Sequence, residues 1–168
     1  MKLIDIGAFN GDSALHFIAY PDIDSIDAYE PNPSFEGIWR AITRRYPTIK
    51  FYESAVYTKN GEVRYTQRPD NLPLGSTIMD TKSGWGMGEV KNIRCVDILD
   101  IVPNEPFCMK MDAEGAEYDI LERLIESGKS NFIDRLYIEW HDSKMTSDNK
   151  QKQIDMTNHF GDRIKQWL

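Results

Sequence analysis

The feature that most restricts how this chain can fold is a series of short apolar runs, each halting on a polar residue or a glycine and each followed by a helical pattern. Lys2-Leu3-Ile4-Asp5-Ile6 stops at Gly7, and Ser25-Ile26-Asp27-Ala28-Tyr29 stops at Glu30. Phe107-Cys108-Met109-Lys110-Met111 stops at Asp112, and Arg135-Leu136-Tyr137-Ile138-Glu139-Trp140 stops at His141. Ile49-Lys50-Phe51-Tyr52 reads as a further strand. Between these runs, Ala14, Leu15, Phe17 and Ile18 form an apolar helical face capped by Asp12 or Ser13 and ended by Pro21. Asn32-Pro33 opens a second helix, in which Phe35, Ile38, Trp39 and Ile42 fall at i, i+3, i+4 and i+7 before Pro47. Tyr118, Leu121, Leu124 and Ile125 mark a third, stopped by Gly128. Buried-type strands alternating with helices predict an α/β fold with a doubly wound, mostly parallel sheet. Ligands of such sheets lie beyond the carboxyl ends of the strands, so the polar residues that end each run are the candidates for a site.

The remaining stretches are less regular. Asn60-Gly61 between Val56-Tyr57-Thr58 and Val63-Arg64-Tyr65-Thr66 predicts a β-hairpin insertion. Pro69 to Val90, with Pro73, Gly75, Gly84, Trp85, Gly86 and Gly88, is long for a structureless connection and is a candidate lid. Val96 to Val102 predicts a short helical turn, and Ser147 to Phe160 a polar helix within the tail from 143 to 168. A length of 168 residues suits a single domain over the whole chain. With 20 basic against 27 acidic residues the net charge is −7, which disfavours a nucleic-acid backbone as partner and tolerates small ligands, cationic ones included. No apolar run nears the roughly 18 residues of a membrane span, and the start is too short and too soon acidic for a signal peptide. Cys95 and Cys108 are the only cysteines and do not form a C-x-x-C pair, so they are expected reduced and buried. These features predict a cytoplasmic domain with neither membrane nor nucleic-acid partners.

Chemistry concentrates at three strand ends. Asp5-Ile6-Gly7-Ala8-Phe9-Asn10-Gly11 reads D-x-G-x-x-x-G: one glycine for a sharp turn and close ligand approach, a second at the helix entrance. It lacks the middle glycine of the dinucleotide fingerprint. Glu30 closes the next strand, where an acid accepts hydrogen bonds from ribose hydroxyls. A tight turn and a helix-entry acid would account for each feature singly; together they predict a bound nucleoside. Asp112, Glu114 and Glu117 crowd a strand-to-helix junction. The helix dipole favours acids in a first turn by about 0.3–1 kcal/mol each, which explains neither Asp112 at a strand end nor Gly115 in the turn. His141, flanked by Glu139 and Asp142, ends a core strand where a general base would stand, whereas His16 and His159 read as structural or surface residues.

Asp5-x-Gly7-x-x-x-Gly11, Glu30-Pro31-Asn32, Lys110-Met111-Asp112-x-Glu114-Gly115-x-Glu117 and Glu139-x-His141 together resemble the signature of FkbM-type methyltransferases. Those are S-adenosylmethionine-dependent enzymes of the Rossmann-like class I fold that typically methylate hydroxyl oxygens of sugars, polyketides or related metabolites. The match runs from Leu3 to Asp142. It implies that Asp5, Gly7 and Gly11, with Ala8 and Asn10 between them, surround the methionine end of the cofactor. By the same resemblance Glu30 and Pro31 hold the ribose, Ser54 and Ala55 lie by the adenine, and Asp112 borders the amino group and the reacting methyl. By position and chemistry, His141 is the first candidate for the base that takes the acceptor's proton and Asp112 the second, with Glu139 beside them in the catalytic set, and Glu114, Glu117, Ser76 and Trp85 are placed on the rim. The implied partner is a small-molecule or glycan acceptor, and a homo-oligomer is compatible with it. A metal on Asp112 and Glu139 would be another way to polarise a hydroxyl, but nothing in the spacing demands one and no metal ligands are assigned. Against the family pattern the sheet is expected to be shortened at both ends, since the first strand opens the chain and 27 residues follow His141. Two rival readings are an NAD-type oxidoreductase, disfavoured by the missing glycine, and a non-catalytic cofactor-binding subunit of a larger assembly.

Overall fold

In the computed structural model, which describes residues 1–67, 76–79, 89–141 and 148–167, the apolar runs become parallel strands of one sheet. In chain order the elements are β1 (Lys2–Ile6), α1 (Asp12–Phe17), β2 (Ser25–Tyr29), α2 (Glu36–Arg45), β3 (Ile49–Tyr52), β4 (Ala55–Tyr57) and β5 (Gly61–Gln67). Then follow β6 (Glu89–Asp97), α3 (Ile98–Ile101), β7 (Phe107–Met111), α4 (Glu117–Glu126), β8 (Ile133–Ile138), α5 (Asp148–Phe160) and β9 (Ile164–Gln166). The main sheet has the order β3-β2-β1-β7-β8-β9, and every pairing in it is parallel. Strand order reverses between β1 and β7, the expected position of a ligand crevice.

Side chains alternate across this sheet, so each face carries its own core. Leu3, Ile26, Ile49 and Cys108 pack with Phe17 of α1 and Trp39 of α2 on one face. Ile4, Met109, Leu136 and Ile138 pack with Leu121 and Leu124 of α4 and Phe160 of α5 on the other. Each large side chain fully buried in this way contributes about 1.5–3 kcal/mol. This is the doubly wound arrangement that the continuous apolar runs predict. Cys95 and Cys108 are buried free thiols. No helix among the described residues is long and apolar enough to cross a membrane.

Local signals are met in part. Asn32 caps the second helical segment by accepting from Ser34 N at 3.0 Å, and Pro33 opens it as a 3₁₀ turn that leads into α2. Gly128 ends α4 in the left-handed conformation. Helix α1 is not capped by Asp12 or Ser13: Gly11 holds the cap position at φ 90°, and Ser13 is turned inward. Leu15 and Ile38, read as core-facing, are 38% and 45% exposed. The hairpin expected between β4 and β5 does not form. β6 lies between them, parallel to β4 and antiparallel to β5, so the Asn60-Gly61 turn joins strands that never pair. Asn60 spends its side chain on the end of the intervening strand and the helix after it, accepting from Asp97 N at 3.0 Å and donating to Asp100 of α3. β6 escaped notice because its inward positions include Lys91 and Asp97 beside Ile93 and Cys95, which dilutes the apolar alternation. The helical turn expected at 96–102 is the four-residue α3, capped by Asp97. β9 extends the sheet past β8 on only three residues. Of the candidate lid, 76–79 and the start of β6 are described; 68–75 and 80–88, with Trp85, lie outside the described residues, as does Asp142.

Candidate active site

Strand register assembles the site. Ile6 pairs with Tyr29 and with Met111, and Met111 pairs with Ile138. The next residue on each strand therefore stands on one rim: Gly7, Glu30, Asp112 and Glu139. Gly7 sits at φ +71°, and a Cβ there would lie 1.9 Å from the Asp112 carbonyl oxygen, so only glycine lets β1 close against β7 at this point. The amides of Gly7 and Ala8 both donate to Tyr29 O at 3.0 Å. Phe9 follows at φ 47°, held by its amide on Glu30 Oε2 at 3.1 Å and by Trp39 Nε1 donating to its carbonyl at 2.7 Å. A left-handed non-glycine residue costs of order 1–3 kcal/mol, and these bonds supply the compensation.

Beneath the turn lies a buried charge pair. Lys110, 3% exposed, donates from Nζ to Gly7 O at 2.7 Å and stands 3.5 Å from Asp5 Oδ1 and 3.8 Å from Asp112 Oδ2. Asp5 is fully buried and accepts from Ser13 Oγ at 2.6 Å. Asp5 thus braces the turn from below.

Above it opens a cavity of about 210 Å³. Of the residues predicted to hold a cofactor, Gly7, Ala8, Asn10, Glu30, Pro31, Ser54, Ala55 and Asp112 line it, whereas Asp5 and Gly11 do not. Glu114 and Ser76 line it too; Glu117, Glu139 and His141 do not. Lys110, Tyr65, Ile78 and Trp167 also face the cavity without having been assigned to it. Tyr65 was legible as an inward residue of its strand, and Lys110 lies within a motif; nothing in the sequence marked Trp167. Glu30 accepts from Asn32 N at 2.8 Å on Oε1 and from Phe9 N on Oε2. Burial pushes its carboxyl up to about 7, against those two amides and the charge of Lys110. Tyr65 is hydrogen-bonded to Ser76, and burial raises its phenol. Thr77 bonds the Glu114 carbonyl at 2.8 Å, so the 76–79 segment is fastened to the cavity wall.

Behind that wall is a histidine ringed by acids. Glu114 and Gly115 adopt φ 53° and φ 111°, a left-handed pair that turns backbone amides inward. Fully buried Glu117 accepts from Ala113 N at 2.8 Å, from Gly115 N at 2.9 Å and from His141 Nδ1 at 2.8 Å. This accounts for Gly115, which helix propensity could not. Nε2 of His141 lies 3.5 Å from Glu114, 3.7 Å from Asp112 and 3.8 Å from Glu139. Burial alone would lower the His141 pKa, but the bond to Glu117 and the charges of Glu117, Glu114 and Asp112 outweigh it and hold it above the ordinary value. Burial pushes the Asp112 carboxyl up to about 6, opposed by Lys110 and reinforced by Glu139. A cavity walled by Glu30, Asp112 and Glu114 suits a ligand with ribose hydroxyls and a positive charge.

Among solved structures, methyltransferase FkbM from Methylobacillus flagellatus superposes on 94% of this chain with a TM-score of 0.61 at 18% identity. This chain spans 36% of the length of that one. Precorrin-6y C5,15-methyltransferase from Geobacter metallireducens overlaps 96% of this chain and 62% of its own, with a TM-score of 0.47 and 13% identity. The first likeness establishes the Rossmann-like class I fold. Curated proteins yield no match. Residues 5–168 match the family described as the methyltransferase FkbM domain, from the glycine turn through the acid-ringed histidine, and the chain therefore belongs to the FkbM methyltransferase family.

Proposed function

We propose that this domain binds S-adenosylmethionine in the cavity beside Gly7 and transfers its methyl group to a hydroxyl oxygen of a sugar, glycan or other small metabolite. One observation carries the reading: buried Glu30 and half-buried Asp112, which follow the two strands on either side of β1, flank one glycine turn and face one cavity. When bound, the cofactor supplies an activated methyl on a sulfonium together with its own leaving group. The protein's part is placement. Glu30 keeps lone pairs free for ribose hydroxyls after its two backbone bonds. Ser54, Ala55 and Val56 line the part of the cavity given to adenine, two of the three with apolar side chains. The acids along the wall favour the positive end of the ligand, and Lys110 with Asp5 keeps the turn at its height. Displacement at a methyl is in-line, so holding the acceptor oxygen at near-attack distance is the main source of rate.

Asp112 is the carboxylate on the cavity wall placed to take the acceptor's proton. His141 is set behind it and acts through it, with Glu139 at the outer edge. A net charge of −7 favours neutral or cationic acceptors in the cytoplasm over nucleic acid. Calorimetry with S-adenosylmethionine, followed by transfer of a tritiated methyl to a panel of sugars and glycans, tests the proposal. It expects micromolar binding and label in an alkali-stable ether; absence of cofactor binding would overturn it.

A further inference from the structure

We propose that Trp167, with the Lys110 ammonium over its ring, makes the far end of the cavity a recognition site for the amino-acid tail of the methyl donor, and that this indole sets the preference for the complete donor over its adenosine portion. The inference rests on the methyl-transfer reading and deepens it.

Strand order fixes which end of the cavity is which. Ser54 comes just after β3, Glu30 follows β2, Gly7 follows β1 and Asp112 follows β7, while Trp167 follows β9 at the opposite edge of the sheet. All five line the cavity. With adenine by Ser54 and ribose on Glu30, whatever a ligand carries beyond the ribose runs toward Trp167. The indole is held there from two sides. Its own amide continues the β8–β9 ladder by donating to Ile138 O at 3.1 Å. Its ring lies 5.2 Å from that of Phe17 and 5.8 Å from that of His16, both on α1. Packing on α1 would suffice for a tryptophan of the core, but this ring also borders the cavity and a buried cation.

That cation is Lys110, whose Nζ stands 5.8 Å from the centre of the Trp167 ring, within cation–π reach. An ammonium has three protons to donate. One goes to Gly7 O at 2.7 Å. The carboxylates of Asp5 and Asp112 stand at 3.5 and 3.8 Å, beyond the roughly 2.7–2.9 Å of a charge-assisted bond. Oδ1 of Asp5 is left without a hydrogen bond, so the ammonium leans to the turn rather than to the acid beneath it. A buried cation on the cavity wall with donors to spare suits an anionic acceptor. In the methyl donor the only anionic group is the α-carboxylate. Its α-ammonium falls to Asp112 and Glu114 on the adjoining wall. The indole keeps water from the carboxylate and Lys110, and such bonds strengthen as the local dielectric falls.

The test compares two ligands on the full chain by calorimetry: S-adenosylhomocysteine, which carries the amino-acid tail, and 5′-methylthioadenosine, which lacks it. Trp167→Ala should weaken S-adenosylhomocysteine about tenfold or more and change 5′-methylthioadenosine by less than about twofold. The second ligand also reports that the variant is folded, because a general loosening would weaken both alike. Decarboxylated S-adenosylhomocysteine should bind the wild type about tenfold more weakly than the intact ligand. Trp167→Phe keeps a ring in place and should retain most of the affinity, while losing most of the tryptophan fluorescence change that S-adenosylhomocysteine produces in the wild type. Glu62→Gln on the surface should change nothing. Equal losses for both ligands in Trp167→Ala, unaltered affinity for S-adenosylhomocysteine, or a full fluorescence change in Trp167→Phe would overturn the proposal. A wild type that binds both ligands equally well sinks this inference alone, and one that binds neither sinks the methyl-transfer reading and this inference with it.

Discussion

Glu30 should make the cavity's affinity for ribose depend on pH. Burial holds its carboxyl at about 7 against an ordinary 4.5, so the empty site is half protonated near neutrality. Ribose hydroxyls donate to the ionised form. Between pH 8 and pH 6 the ionised fraction falls from about nine-tenths to about one-tenth, which weakens binding roughly tenfold, or about 1.4 kcal/mol. The ligand of choice is 5′-methylthioadenosine, which keeps adenine and ribose but lacks the methionine amine that would itself titrate. Calorimetry across that range should show affinity lost as pH falls through 7. Glu30→Gln should bind about 1.5–3 kcal/mol more weakly at pH 8 and show no slope. Stability of the ligand-free protein runs the other way. A carboxyl whose pKa is raised on folding contributes stability that is complete below its unfolded value and lost as pH rises through the folded one. For Glu30 that window is about 4.5 to 7, and the loss is at most about 3 kcal/mol, visible in urea titrations. A flat affinity profile in the wild type, or a Glu30→Gln variant that keeps both affinity and slope, would refute this account.

Gly7→Ala places a Cβ 1.9 Å from a backbone oxygen that cannot step aside, so urea titration should show a loss of about 3 kcal/mol or more, or no folded protein. Gly61→Ala, also at positive φ but with no atom near its Cβ, should cost only about 1–2 kcal/mol. His141→Ala should cut turnover about 100-fold while cofactor affinity measured by calorimetry stays constant, because His141 lies behind the cavity wall and not on it. Trp39→Phe removes the bond to Phe9 O from a fully buried ring and should destabilise by about 1–3 kcal/mol, with faster hydrogen exchange in the 7–11 turn.

What could be read from the sequence is whatever a strand announces locally. Gly7, Glu30 and Asp112 end apolar runs, and parallel pairing brings them onto one rim; the last strand reads through Trp140 to His141 in sequence, whereas it ends at Ile138 and gives the rim place to Glu139. The Rossmann-like sheet follows from that pattern, and the resemblance to the FkbM family from the motifs around those residues. The hairpin failed because Asn60-Gly61 signals a turn, not the partner of the strands beside it; β6 arrives from further along the chain and takes the central place. Glu117 and His141 are 24 residues apart, and no local rule says that one carboxylate will hold that ring. Gly115 looked out of place for the same reason: the amide it turns inward serves Glu117, not the helix. Asp5 was assigned to the cofactor by likeness, whereas its burial under the turn gives it Lys110 and Ser13 instead. Trp167 reaches the cavity from a short terminal strand whose sequence carries no period to read.

The pairing of β1 with β7 has a consequence for how the chain is made. Ile6 and Met111 are neighbours in the sheet but 105 residues apart in sequence. At roughly 5–20 residues per second, a ribosome needs about 5–20 s to travel between them. During that interval β1 can pair only with β2, which carries β3 on its far side, and the backbone of its other edge waits open to any passing strand. The crevice, and with it the site, comes into being only when the far half of the chain has left the exit tunnel.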